Sequence, residues 1–195
     1  MGSVKLGIWL ADHKRLAGHY RAGLLRIYSA QECQHCVANR MGIHRRGLSG
    51  RMGRHIVSGP EVGHWVAQRV DGGFFEGRAT ALGLKRDDQI IAGVIYENWN
   101  HKSIWCHFAI EGQLTPAYLA AIFDYPYNIC QVEKIIVPVG SDNEQSAKVV
   151  TNMGFTEEGR IKEGRPAGDI VFYTLRRDDC RFLNERYSKR IVNHG

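Results

Sequence analysis

A tight succession of strand and helix signals between Val132 and Phe155 narrows the folds open to this chain. Residues 132–139 are a nearly continuous apolar run that predicts a strand. Residues 141–153 follow at once and predict a helix. Ser141 and Glu144 stand at the spacing of a capping box, and Gly154 supplies a left-handed stop before Phe155 opens the next strand. Strand, helix and strand in such close order commit the chain to an α/β architecture.

Upstream the pattern is of another kind. Val62, Trp65, Val66 and Arg69 predict a helix over 61–70, stopped by Gly72 and Gly73. Strands are predicted over 81–84, 89–96 and 103–110, with turns at Asp87-Asp88 and over 99–102, giving an antiparallel meander. Thr115-Pro116 starts a helix, because threonine caps and proline at the first position lacks only an N–H that has no partner there anyway. Tyr118, Leu119, Ile122 and Phe123 give that helix its apolar face, and Pro126 kinks or ends it. Residues 155–162 and 169–176, joined through Gly164 to Gly168, predict a closing hairpin.

The first fifty-odd residues differ in texture. Lys5, Lys14, Arg15, Arg21, Arg26, Arg40, Arg45, Arg46, Arg51 and Arg54 face only Asp12 and Glu32, so the net charge of +6 gathers there. A helix is expected over 16–29, but 41–53 has no apolar period. The expected division is a basic arm over 1–53, a domain over 54–185 and a tail over 186–195. Met52 is an alternative start that would make the arm no part of the natural product. A basic arm suits nucleic acid or another acidic surface, or is simply a solvated tail. The apolar start over 4–10 is short, broken by Lys5 and Gly7, and lacks a cleavage pattern, so the cytoplasm is the expected compartment and no membrane is involved. Cys33 and Cys36 have metal spacing without a second close pair, since His44 and His55 lie far apart. No metal is assigned. Cys106, Cys130 and Cys180 read as reduced, partly buried thiols.

The order of elements, with the residues V-P-V-G-S-D-N-E-Q-S-A-K-V-V-T-N-M-G-F from Val137 to Phe155, resembles the second half of a GCN5-related N-acetyltransferase (GNAT) domain. The residues over 156–160 and 168–175 resemble that family's closing hairpin. The stretches over 114–127 and 178–183 look like a bacteriophage-type subgroup. The resemblance covers roughly 54–185. It implies a mixed central sheet with an antiparallel meander, a splayed parallel strand pair and flanking helices. It also implies acetyl-CoA held between the strands over 103–110 and 132–139, which places Pro138, with no amide to leave unpaired, near the open edge; the same residue reads equally as an ordinary edge-strand proline.

Two departures from the family pattern stand out. The loop Glu111-Gly112-Gln113-Leu114-Thr115 has one glycine and no arginine where the family has a glycine-rich diphosphate cradle. Val150 stands where many members carry the tyrosine that protonates the leaving thiolate. Tyr173 on the closing hairpin is either its substitute or half-buried packing.

Acyl transfer to an amine needs a base, oxyanion donors and a proton for the thiolate. His107, in the middle of a central strand, is the leading base candidate because imidazole titrates near neutrality, and Glu111 is the second. Both also read as structural groups. The resemblance points to the backbone of Phe108, Ala109 and Ile110, the loop residues Gln113, Leu114 and Thr115, and Asn143 and Ser146 on the following helix as the cofactor's contacts. The expected acceptor is a small-molecule or protein amine. A DNA-modifying enzyme of the Mom type on the same scaffold, and a non-catalytic binding module, are the alternatives.

Overall fold

The computed structural model describes residues 53–70 and 72–187. The helix expected over 16–29, the Cys33–Cys36 pair and the basic arm lie outside the described residues.

Among the described residues seven strands form one sheet in the order β1-β2-β3-β4-β5-β7-β6. They are β1 Arg54–Ser58, β2 Thr80–Arg86, β3 Gln89–Glu97, β4 Ser103–Ile110, β5 Lys134–Gly140, β6 Thr156–Arg165 and β7 Gly168–Arg176. Every neighbouring pair is antiparallel except β4 and β5. Among the described residues three α-helices cover the sheet: α1 Pro60–Ala67, α2 Pro116–Asp124 and α3 Glu144–Met153. The strand β1 had no counterpart in the expected elements. Asp87 and Asp88 make the expected turn with φ of 50° and 62°, the doubly left-handed pair of a tight hairpin.

Alternation along the strands sorts the core into two layers. Leu82, Leu84, Ala92, Val94, Ile104 and Cys106 pack with α2 and α3 residues on one face, where Tyr118, Phe123 and Phe155 are almost wholly buried. Ala81, Ile95 and Ala109 meet Val62 and Val66 of α1 on the other. Gly93 makes that second contact close. A β-carbon there would lie 2.5 Å from Val66 Cγ2, so a bare backbone lets α1 settle onto the sheet.

Thr115 caps α2 as expected, its side chain accepting from the Tyr118 N–H at 3.1 Å. The helix ends at Asp124, and Pro126 sits in a following π-turn, Tyr125–Ile129. Strand β5 starts at Lys134 rather than Val132, because the Val132 N–H is drawn to the Pro126 carbonyl at 3.1 Å. The capping box expected at Ser141 is also displaced. Asn143 caps α3, its Oδ1 accepting from the Ser146 N–H at 3.0 Å. Ser141 is occupied elsewhere: it donates its N–H to the Asp169 carbonyl at 3.0 Å and its Oγ accepts from the Asp169 N–H at 3.0 Å. It therefore closes the β5–β7 ladder. Gly154 takes the left-handed stop at φ 103°.

Candidate active site

The parallel ladder between β4 and β5 is short. It pairs Ser103 with Lys134, Ile104 with Ile135 and Trp105 with Ile136, and goes no further. On their outer sides both strands stay paired to their ends, β4 to β3 as far as Ile110↔Ala92 and β5 to β7 as far as Gly140↔Ile170. Each is held from outside while the two part from one another.

Backbone alternation decides which groups face the gap. The Glu111 N–H donates to the Ile91 carbonyl at 2.9 Å, which fixes the odd-numbered residues of β4 as bonded to β3. The even-numbered ones, Phe108 and Ile110 among them, turn N–H and C=O toward β5. On β5, Arg177 N–H to Glu133 carbonyl at 2.9 Å and Ser141 N–H to Asp169 carbonyl set the odd residues against β7. Pro138 and Gly140 therefore face β4. Proline stands where an amide would have no strand partner. Ala109 differs from its neighbours: its backbone is turned to Gly93 on β3, leaving Phe108 and Ile110 as the N–H donors of that wall.

The parting strands open a cleft of about 610 Å³ that connects the two faces of the sheet. On the α3 side it is lined by Phe108, Val137, Val139, Val149 and Val150, and it reaches Asn143 and Ser146 at the start of α3. On the α1 side it is lined by Arg69, Val70, His107, Glu111 and Arg165. The α3 side is mostly apolar, with Asn143 and Ser146 as its polar members, while the charged side chains stand on the α1 side.

His107 is largely enclosed, with 15% of its side chain exposed, and its Nε2 lies 2.9 Å from Glu97 Oε1. The Nδ1 edge of the ring faces Gly72, where a β-carbon would stand 4.0 Å from Nδ1. Glu111 is bound by Arg69, with Nε at 2.7 Å and Nη2 at 3.5 Å from its carboxylate oxygens. Arg69 is itself fixed by the Trp65 carbonyl at 3.0 Å and lies over the Trp65 ring, 3.9 Å from its centroid. Arg165 ion-pairs with Asp142 at 3.2 Å, and the space a Gly140 side chain would fill is occupied by its guanidinium.

Of the residues singled out by sequence, His107, Glu111, Phe108, Ala109, Ile110, Asn143 and Ser146 come together around this cleft. Gln113, Leu114 and Thr115 lie outside its lining, in the loop leading to α2, where Arg54 Nη2 donates to Gln113 Oε1 at 3.3 Å. Tyr173 is not brought to it either. It pairs with Val137 and packs against the helix-covered core. Glu97, Arg69 and Arg165 were not anticipated. The turn over 99–102 carried a signal for the first: a hairpin folded about it sets Glu97 opposite Trp105, one pleat from His107 on the same face.

Burial pushes the Cys106 thiol well above its ordinary range, with the Glu97 charge adding to the effect, so this cysteine at the root of the gap stays a neutral packing group. Among the described residues no cluster of three or more His, Cys, Asp or Glu side chains is placed to hold a metal ion. Nor is any helix among them long and apolar enough to cross a membrane.

No protein-family model matches the sequence, and no curated protein matches it. Solved structures do. Mutant forms of the spermidine/spermine N-acetyltransferase SpeG from Vibrio cholerae superpose with a TM-score of 0.54 at 13% identity, over 71% of this chain and 99% of theirs. Spermidine N-acetyltransferase from Vibrio cholerae in complex with CoA and spermine gives 0.47 at 20% identity, over 56% and 70%. Mycobacterium smegmatis RimJ in complex with CoA-disulfide gives 0.45 at 23% identity, over 61% of each chain. The first superposition establishes a shared fold.

Proposed function

We propose that this chain, which has the mixed sheet and splayed parallel pair of the GNAT fold, is an N-acyltransferase that moves an acetyl group from coenzyme A to an amine. The observation that carries the reading is the end of the β4–β5 ladder at Trp105 and Ile136, with the cleft that opens beyond it. Backbone N–H and C=O groups that lack a strand partner must find another hydrogen-bonding group. Phe108 and Ile110 on one wall, and the Pro138 carbonyl and Gly140 N–H on the other, are such groups. The amide-bearing arm of coenzyme A, lying between them like an added strand, satisfies both walls. The residues present fit this cofactor.

Acetyl-CoA supplies a thioester carbonyl open to attack and a thiolate that leaves. Everything else falls to the chain. Val137, Val139, Val149 and Val150 form the apolar wall that excludes water from the arm. The Phe108 and Ile110 N–H groups point into the gap, where a carbonyl oxygen gains charge as the amine adds. His107 stands at the α1 mouth and takes a proton from the amine nitrogen as it adds to the thioester. Glu111, held by Arg69, lines the same mouth and borders the acceptor. Asn143 and Ser146 border the cofactor at the opposite mouth. Gln113, Leu114 and Thr115, before the capped first turn of α2, are the seat of the cofactor's diphosphate, through backbone N–H groups and the positive end of the helix.

The acceptor is an amine reaching the cleft from the α1 side, on a small molecule or a protein. SpeG's spermidine and spermine set the kind of molecule with which screening begins. The domain boundaries near 54 and 185, the bacteriophage-type likeness and a cytoplasmic location belong to the same reading.

The test is turnover. The full chain is incubated with isotopically labelled acetyl-CoA and a panel of polyamines, amino sugars and peptides, and free coenzyme A and labelled product are read by mass spectrometry. Labelled acetyl on an amine, with an equal quantity of coenzyme A released, supports the proposal. Failure to bind acetyl-CoA at all overturns it.

A further inference from the structure

His107 lies in a hydrogen-bonded pair whose other half comes from a different strand. Glu97 ends β3, and its Oε1 is 2.9 Å from His107 Nε2. The two side chains are 25% and 15% exposed, so the contact is shielded rather than loose. A carboxylate has only acceptor oxygens, whereas a neutral imidazole has one donor and one acceptor nitrogen. The contact therefore requires the proton of neutral His107 on Nε2. The lone pair is left on Nδ1, on the ring edge that faces bare Gly72. We propose that Glu97 is a positioning residue for His107, fixing the ring of this cleft-lining histidine in the Nε2–H form so that Nδ1 is its single basic atom.

The inference rests on the acyltransferase reading and adds a residue to it. As the amine nitrogen forms its bond to the thioester carbon and the C–S bond breaks, a proton passes from that nitrogen to His107 Nδ1 and coenzyme A leaves as its thiolate. The imidazolium so formed still donates Nε2–H to Glu97, whose negative charge now faces a positive ring. Glu97 keeps its own protons unchanged throughout. It acts through the histidine and touches no reacting atom.

The direct readout is the nitrogen-15 spectrum of the His107 ring in the full chain, taken above the ordinary imidazole titration range, where the two tautomers have distinct shifts. The wild-type ring is expected as the Nε2–H tautomer. Glu97→Ala is expected to give a tautomer mixture. Glu97→Gln, which keeps the shape but presents either an acceptor or a donor, covers the case in which the alanine variant does not fold. Coenzyme A affinity, measured by calorimetry on the same samples, is expected to stay within about twofold, while acetyl transfer or acetyl-CoA hydrolysis falls on the order of tenfold, in kcat rather than KM. A wild-type ring protonated on Nδ1, or a ring spectrum that neither variant alters, overturns the positioning role. Wild-type protein that fails to bind coenzyme A overturns the transferase reading instead, and the inference with it.

Discussion

Trp105 and Ile136 form the last rung joining the two parallel strands of this protein, and the sheet divides immediately beyond them. Two residues further along, on β4, the side chain of His107 turns to the α1 face. On β5, Pro138 presents the gap with a nitrogen that has no hydrogen to donate. The division thus opens between an apolar wall on the α3 side and a polar mouth on the α1 side.

Filling the cleft removes cofactor binding without unfolding the chain. Val149 lines the gap from α3 and is only partly buried. Val149→Trp is expected to weaken coenzyme A at least about tenfold, or ~1.4 kcal/mol, by calorimetry. The thermal midpoint should change little.

Removing the base slows chemistry and spares binding. His107→Gln is expected to lower acetyl transfer by about 10²-fold or more, the ordinary span for a positioned base, with coenzyme A affinity retained. Equal losses in affinity and rate would instead make His107 a structural member of β4.

The contact of α1 with the sheet depends on a missing side chain. Gly93→Ala forces a methyl to within 2.5 Å of Val66 Cγ2. Overpacking of this kind costs about 1–3 kcal/mol. Denaturant titration should show the unfolding free energy falling by that amount, through a lower midpoint at unchanged slope.

The buried thiol of Cys180 gives a signature at alkaline pH. Burial pushes it up to about 11, while in the unfolded chain it returns to the ordinary thiol range. The folded state thus favours the neutral thiol. That contribution is fully present below the ordinary range and is lost as pH rises toward 11. Urea unfolding at a series of alkaline pH values should show stability falling across this window in wild type and less so in Cys180→Ala. Iodoacetamide should alkylate Cys180 slowly in the folded protein at pH values where a free thiol reacts readily.

Much of the fold was legible in the sequence because it is written in local signals. The Thr115 cap, the Asp87-Asp88 turn, the Gly154 stop and the apolar run into Pro138 each specify their own geometry, and the structure has all four. What was not legible depends on register. Ser141 has the spacing of a cap, but the β5–β7 ladder reaches it first and Asn143 takes over the helix. Val132 reads as strand, yet the π-turn around Pro126 captures its amide.

The site divides along the same line. His107 was legible as an ionisable group inside an apolar strand. Glu97 follows from the hairpin that sets it opposite Trp105, whereas Arg69 and Arg165 became visible only when pairing brought distant segments together. The alternation that leaves Phe108 and Ile110 facing the gap, and turns Ala109 to β3, is likewise a property of the assembled sheet.

The most direct measurement is a crystal structure of the full chain grown with saturating coenzyme A. The account predicts the pantetheine arm between β4 and β5, its amides within hydrogen-bonding distance of Phe108 and Ile110 on one side and of Pro138 or Gly140 on the other, and its sulfur toward His107. Coenzyme A bound elsewhere on the surface, or an empty gap at saturation, would contradict it.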